Sequence, residues 1–206
     1  MRLPNSAHET LPWRIRDIVS DFILEDVWAL PVHGGAEDFP ALLEAMLSLD
    51  PAQGSVPTRV LWKARDLLGA WFGLGRISPN GGDADAAAGP LRIPGTSETS
   101  LRSRLPGDLR NTATGVDFSA TPFEPLYCTD DEFAAELSNQ TVHGVLHLGW
   151  VETGKVRYQG QLAVYVKPRG QFGKAYMAFI KPFRYVVVYP ALLRQIERAW
   201  KARTPQ

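Results

Sequence analysis

The sequence predicts an α+β domain in which an antiparallel sheet lies against one long, kinked C-terminal helix. Three observations lead to this prediction. Segments rich in Val, Tyr, Trp and Thr with strand-like alternation cluster between residues 123 and 168. A helix-forming segment precedes them at residues 38–50, and apolar residues recur at three-to-four spacing from about residue 173 to 203. At ~1.5 Å per residue the last helix spans ~45 Å, about the diameter of the whole domain, so it must lie across the sheet.

Length and composition are those of one globular domain with its own core. The chain has 206 residues, of which 45% are hydrophobic and 21% charged. We therefore expect a single domain over residues 1–206, with a flexible loop at about 77–96 where Gly, Ala, Pro and Asp are frequent. The single cysteine, Cys128, excludes an internal disulfide and a Cys-rich zinc site.

Charge and hydropathy exclude two classes of partner. Lys plus Arg and Asp plus Glu both number 22, so the chain lacks the basic excess of a typical nucleic-acid binder. No apolar stretch is long enough for a membrane span, and the first residues do not have the pattern of a signal peptide. We expect a cytoplasmic protein without a nucleic-acid partner or a membrane span. The sequence does not indicate an oligomeric state.

The first part of the chain predicts one strand followed by two short helices. Residues 21–32 are rich in Phe, Ile, Val and Trp, and Pro31 limits their continuation, which is typical of an opening or edge strand. Asp38 is a suitable N-cap for a helix that ends near residue 50. A second helix is predicted at residues 58–73, where large apolar residues recur at helical spacing.

The sequence after residue 100 changes toward a period of two. Short strands are predicted at residues 100–105 and 123–128. Residues 141–151 form the clearest strand, because two glycines disfavour a helix and the side chains alternate between two faces. Residues 158–168 alternate in the same way and are the predicted hairpin partner.

Residues 130–139 fit either a helix or a strand. Thr129 and Glu132 have the spacing of a helical capping box. Phe133 and Ala135, however, alternate with polar residues as they would in a strand. We favour the strand.

The last segment carries conflicting signals. Residues 183–189, FRYVVVY, have high strand propensity, yet the apolar residues around them recur at helical spacing and lead into an amphipathic helix. Pro182 and Pro190 would each kink a helix. The prediction is one long kinked helix over residues 173–203.

Three sequence blocks stand out: E-x-x-x-E-x-x-N-x-T-V-H, H-L-G-W and P-F-R…Y-P. They are formed here by Glu132, Glu136, Asn139, Thr141, His143, His147, Trp150, Pro182, Phe183, Arg184, Tyr189 and Pro190. With these blocks, the chain resembles the bacterial domain-of-unknown-function family 2867 from about residue 21 to 200. More distantly it is similar to the START and pollen-allergen-like helix-grip (SRPBCC) superfamily. This resemblance implies a curved antiparallel sheet wrapped around the long C-terminal helix, two short helices after the first strand, and a pocket between sheet and helix.

The leading functional prediction is binding of a small apolar or amphipathic molecule in that pocket. Apolar walls with a few polar groups are typical of such sites. Arg184 lies among apolar neighbours, where it would either hold an acidic group of a ligand or form a structural salt bridge. No cofactor is predicted. The candidate ligand-binding residues are His143, His147, Tyr165, Tyr176, Phe183 and Arg184.

Two alternatives stay open. In an enzyme of the cyclase or hydrolase kind, His143 or His147 would move a proton while Arg184 steadies an enolate or carboxylate. In a ligand-free interaction domain, an exposed apolar patch would contact a partner. The sequence favours a binding protein over an enzyme.

Three further kinds of site are disfavoured, two of them by residue spacing and the third because no neighbouring residue predicts a lowered pKa for Cys128. Four residues along a strand separate α-carbons by ~13 Å, so His143 and His147 are too far apart to share a zinc ion easily, and no metal site is predicted. Glu132 and Glu136 are equally far apart and are predicted to be solvated charges at a sheet edge rather than a catalytic pair. Cys128 is predicted to be a buried structural thiol rather than a nucleophile.

Overall fold

Strands from both halves of the chain form one curved, six-stranded antiparallel sheet in the order β1-β2-β6-β5-β4-β3. The computed structural model describes residues 1–48, 100–110, 112, 123–138, 142–154 and 156–203. The strands are β1 (Arg2–Leu3), β2 (Ile23–Gly34), β3 (Glu124–Cys128), β4 (Glu132–Ser138), β5 (Val142–Gly154) and β6 (Arg157–Pro168). The strand alternative for residues 130–139 is confirmed as β4, and β5 and β6 form the predicted hairpin.

The described residues also form five α-helices. They are α1 (Ser6–Glu9), α2 (Ile15–Ile18), α3 (Phe39–Leu47), α4 (Gly170–Phe183) and α5 (Tyr189–Ala202). A π-helical turn, Arg184–Val188, joins α4 to α5. The predicted α+β fold with a long C-terminal helix is confirmed. The predicted helix at residues 58–73 and the loop at 77–96 lie outside the described residues.

Pro182 explains where the long helix changes its winding. Proline has no N–H to donate, and its ring meets the carbonyl of the preceding turn, so the regular hydrogen-bond ladder is interrupted. Pro182 lies near the end of α4, and the wider π-helical turn begins two residues later. The helix begins at Gly170, slightly before the predicted start at residue 173.

The sheet has two covered faces, which we call inner and outer. The inner face packs against α3 and α5 through Leu148, Trp150 and Leu162. The outer face is covered by residues 1–19 and 100–110, which pack on Val145 and Ala163. No helix within the described ranges is long and apolar enough to cross a membrane.

Residues 100–105 do not form the predicted strand. Leu101–Arg104 is a 3-10 helix, because the Ser100 side chain accepts a hydrogen bond from the main-chain N–H of Arg102 and caps its first turn. Leu101 and Leu105 are buried against the outer face, so tertiary packing holds the segment in this conformation.

The N-terminal cover approaches the sheet closely at Gly149. A β-carbon placed there would lie 2.6 Å from the ring of Trp13, so only glycine leaves room for this indole. This contact, which the sequence analysis did not predict, fixes residues 1–19 as the layer over the outer face.

Candidate functional site

The inner face is less completely covered than the outer face at the middle of β4, β5 and β6. Leu137, Gly144, Leu146 and Val164 are half-buried, although each lies in a strand with neighbours on both sides. They are contiguous, because Leu137 pairs with Gly144 and Leu146 with Val164. On the outer face of the same strands, the corresponding residues are no more than 5% exposed: Glu136, His143, Val145, Ala163 and Tyr165.

The two halves of the long helix cover the ends of this region. Met177 of α4 packs with Val142 and Val166. At the other end, Trp200 of α5 lies 6.0 Å, ring centre to ring centre, from Trp150. The half-buried residues lie between these two contacts.

Space above the sheet is most evident at Gly144. Among the described residues, the atom nearest to a β-carbon placed there would be the main-chain oxygen of Leu137, at 3.8 Å. We call the region floored by Leu137, Gly144, Leu146 and Val164 the inner cleft.

A buried polar cluster borders the inner cleft. Asp26 is 0% exposed and is the direct cross-strand partner of Val164. Its carboxylate accepts hydrogen bonds from Arg184, from Tyr185 Oη at 2.6 Å and from Tyr189 Oη at 2.8 Å. Burial raises the pKa of Tyr189, and burial together with Asp26 raises the pKa of Tyr185 to about 12, so both hydroxyls remain donors. The cluster ties the π-helical turn to β2.

Arg184 has one donor group that the cluster does not use. Its Nη2 donates to Asp26 and to Tyr189 Oη. Its Nη1 is buried and has no hydrogen-bond partner within the described part of the chain. A buried guanidinium nitrogen without an acceptor is unfavourable, so this group is suited to an oxygen atom brought by a ligand.

Two Glu–His pairs lie on the outer face. Glu132 Oε2 is 2.9 Å from His147 Nε2, and Glu136 Oε2 is 3.0 Å from His143 Nε2. The same contact occurs twice because the two glutamates are four residues apart in β4 and the two histidines are four residues apart in β5, its antiparallel partner. Each glutamate precedes by two positions the β4 residue that pairs with its histidine. The predicted solvated edge charges are therefore wrong, since Glu132 and Glu136 are 3% and 1% exposed.

The two glutamates also accept hydrogen bonds from the segments that cover the outer face. Glu132 accepts hydrogen bonds from Tyr127 Oη and from the main-chain N–H of Arg14, both at 3.0 Å. Burial by itself would raise the pKa of Glu132, but His147 and these hydrogen bonds lower it, so the carboxylate is an ionised acceptor.

Glu136 holds the second covering segment in the same way. It accepts hydrogen bonds from the Ser100 hydroxyl and from the main-chain N–H of Leu101, the latter at 3.0 Å. Each carboxylate thus links one covering segment to the sheet.

His8 of α1 completes the outer-face cluster. The Gln161 amide donates to the main-chain oxygen of Ala7 at 3.4 Å, which turns its oxygen toward His8. His8 Nδ1 donates to that oxygen at 2.6 Å, and its ring lies 5.0 Å from the ring of His147. Burial, and then the proximity of His147, lowers the pKa of His8 from 6.5 to about 4.

Acidification is expected to weaken the fold through His8. Because its pKa is lower in the folded chain than in the unfolded chain, stability is lost as pH falls from 6.5 toward 4. Electrostatic interactions with Glu132, His147 and Arg16 also contribute to the pKa of His8. Between pH 7 and pH 4, the wild type should lose about 3 kcal/mol more unfolding free energy than His8→Phe. Urea denaturation across this range measures the difference. The same loss in wild type and variant would contradict the prediction, and His33→Asn, at an exposed histidine, is the control.

The structure does not bring the six predicted ligand residues together. Arg184 bonds to Asp26, the cross-strand partner of Val164 in the cleft floor, and Tyr176 packs against the cluster formed by α4 and the sheet. Phe183 is 48% exposed. The remaining three, His143, His147 and Tyr165, lie on the outer face, with the sheet between them and the helix.

The residues that sequence reasoning missed are those of the cleft and the polar cluster. Asp26 had a visible signal, since strand alternation places this charge on the same face as the apolar residues Trp28 and Leu30. Leu146 and Val164 had none, because an apolar residue in a strand gives no indication that it is only half-buried. Asn139 and Thr141 lie outside the described residues.

The other reactive groups of the described residues do not form a second site. Cys128 is half-buried, and burial raises the pKa of its thiol, which is opposite to the activation of a nucleophile. Within the described ranges, no three His, Cys, Asp or Glu side chains are arranged to hold a metal ion.

Comparison with known proteins identifies a family. The family model described as "Protein of unknown function (DUF2867)" matches residues 18–191. This range includes the inner cleft, the Asp26–Arg184 cluster and both Glu–His pairs. No curated protein and no solved structure matches the chain. Since the match covers most of its length, the chain belongs to the DUF2867 family.

Proposed function

We propose that the protein binds a small apolar or amphipathic molecule in the inner cleft, between the sheet and the C-terminal helix. The observation that carries the proposal is the half-buried pair Leu146 and Val164, on central strands whose opposite face is closed. An apolar floor beside a few convergent polar groups is typical of a ligand site. Gly144 deepens the floor, because no side chain of the described residues lies within 4 Å of a β-carbon placed there.

The polar cluster suggests which ligand group is recognised. Arg184 Nη1 is a buried donor without an acceptor within the described part of the chain. Asp26 already balances the charge of Arg184. We therefore expect an uncharged acceptor, such as a carbonyl or hydroxyl oxygen, rather than an acidic group, because a second anion would meet Asp26.

The proposal also includes a distant structural relationship and a cellular location. A helix lying across a curved antiparallel sheet supports a distant relationship to the START-like helix-grip superfamily. The single cysteine is consistent with a reducing compartment, and we place the protein in the bacterial cytoplasm.

Acid–base catalysis in the cleft has less support. His143 and His147 point to the outer face, where each is paired with a buried glutamate. Arg184 lies on the other side of the sheet. A reaction that needs a histidine and Arg184 on the same substrate would require them to share a face, so binding is the function that the geometry supports best.

Filling the cleft should abolish ligand binding without harming the fold. The probe is Prodan, an uncharged naphthalene fluorophore that carries a carbonyl oxygen. We expect saturable one-site binding to the wild type, and at least tenfold weaker binding to Gly144→Phe. A β-carbon at Gly144 makes only ordinary contacts with the described residues, and a larger side chain suits a strand better than glycine, so the unfolding temperature should be unchanged or raised.

Gly154→Phe is the matched control. Gly154 lies at the far end of β5, and no atom of the described residues comes within 4 Å of a β-carbon placed there. This variant should bind Prodan as the wild type does. Equal affinity of the wild type and Gly144→Phe, or no binding by the wild type, would refute the proposal. If the predicted binding is observed, native mass spectrometry of protein from its original host would identify a co-purified natural ligand.

A further inference from the structure

The solvent-facing side of α4 and the π-helical turn carries an apolar stripe that the inner cleft does not use. Phe179 is 62% exposed, Phe183 48% and Val186 76%. A helix at a protein surface normally turns polar residues to solvent, so an uninterrupted apolar side indicates a surface that another body covers. The stripe consists of Ala175, Ala178, Phe179, Pro182, Phe183 and Val186.

The charged residues within the segment that carries the stripe are all basic. No acidic residue occurs from Gly170 to Val188, whereas Lys174 and Lys181 are exposed. These two lysines are seven residues apart, or about two helical turns, so they lie along the same flank of the stripe. Lys181 also contacts Glu25 at 3.0 Å, with its own side chain 45% exposed.

We propose that this stripe docks on an anionic lipid surface. Exposed aromatic residues on one side of a helix with lysines on its flank are the features of helices that lie in a membrane interface. The lysines complement the negative charge of such a surface. This docking goes beyond the proposed ligand binding and does not depend on it.

A second copy of the chain fits the stripe less well. Two copies whose helices pack antiparallel through it would bring Lys174 and Lys181 close to the same residues of the partner copy. Neither copy has an acidic residue between Gly170 and Val188 to pair with them, and like charges in an interface oppose association.

Vesicle sedimentation tests the proposal. The full chain is mixed with vesicles of phosphatidylcholine and phosphatidylglycerol at 7:3, and separately with phosphatidylcholine alone. We expect binding to the anionic vesicles that weakens with salt, and at least tenfold weaker binding by the double variant Phe179→Ser, Phe183→Ser. Lys174→Gln should weaken binding to the anionic vesicles about fivefold.

Val156→Ser is the control, because Val156 is 81% exposed at the turn between β5 and β6 and lies outside the stripe. Unchanged binding by this variant supports the assignment to the stripe. The proposal is overturned if the wild type does not sediment with anionic vesicles, or if the double variant binds as well as the wild type. It is also overturned if light scattering finds a wild-type dimer that the double variant dissociates, since the stripe would then belong to a second copy.

Discussion

Glu132→Ala is expected to lower the free energy of unfolding by about 3–5 kcal/mol, because three groups lose their acceptor and each unsatisfied buried donor costs about 1–3 kcal/mol. The substitution leaves His147 Nε2, Tyr127 Oη and the main-chain N–H of Arg14 without their acceptor in a site that water does not reach. It also releases a link between the N-terminal cover and the sheet. Urea denaturation monitored by tryptophan fluorescence measures the loss.

Glu124→Ala is the matched control, because Glu124 lies on β3 with its side chain exposed and should cost less than about 0.5 kcal/mol. The double variant Glu132→Ala, His147→Ala should cost less than the sum of the two single variants, since both remove the same contact. A loss below about 1 kcal/mol for Glu132→Ala would mean that this carboxylate does not hold the outer-face cluster together.

Asp26→Ala should cause a similar loss, about 3–5 kcal/mol, on the other face of the sheet. The variant leaves the Arg184 guanidinium buried without its counter-charge and removes the acceptor of Tyr185 and Tyr189. The π-helical turn would lose its main polar contact with β2. We also expect faster hydrogen exchange across residues 184–188, measured by mass spectrometry.

Glu25 provides the control for Asp26. It is the preceding residue, and its ion pair with Lys181 is partly exposed, so Glu25→Ala should cost no more than about 1 kcal/mol. Asp26→Asn keeps an acceptor for the tyrosines. Its loss of unfolding free energy should therefore lie between those of Asp26→Ala and Glu25→Ala. If Asp26→Ala and Glu25→Ala destabilise the protein equally, the Asp26–Arg184 cluster does not anchor the helix.

The helices and strands that sequence reasoning predicted correctly are those with strong local periodicity. β5 and β6 alternate over long stretches, and the helical spacing after residue 173 outweighs the strand propensity of FRYVVVY. Residues 100–105 were assigned wrongly because their 3-10 conformation depends on burial of Leu101 and Leu105 against a distant sheet. Propensity is a weak guide wherever tertiary contacts decide the conformation.

The candidate site was predicted only in part. Arg184 was identified from its apolar surroundings, but its partner Asp26 lies 158 residues away in sequence. The two glutamates and the two histidines are each four residues apart, so a register that brings one Glu–His pair together also brings the second pair together. This step requires the strand register, which links residue 134 to residue 147 and is not visible in either strand alone.

By itself, the sequence determined that His143 and His147 share one face of a strand and that a long helix must cross the sheet, since both follow from backbone periodicity. Which face the helix covers was decided by the tertiary structure. Residues 1–19, which have little periodicity of their own, close the outer face over the histidines, while the helix takes the inner face and leaves the cleft beside Asp26. Local geometry sets the direction of each side chain, but the layer that meets it depends on packing between segments far apart in the chain.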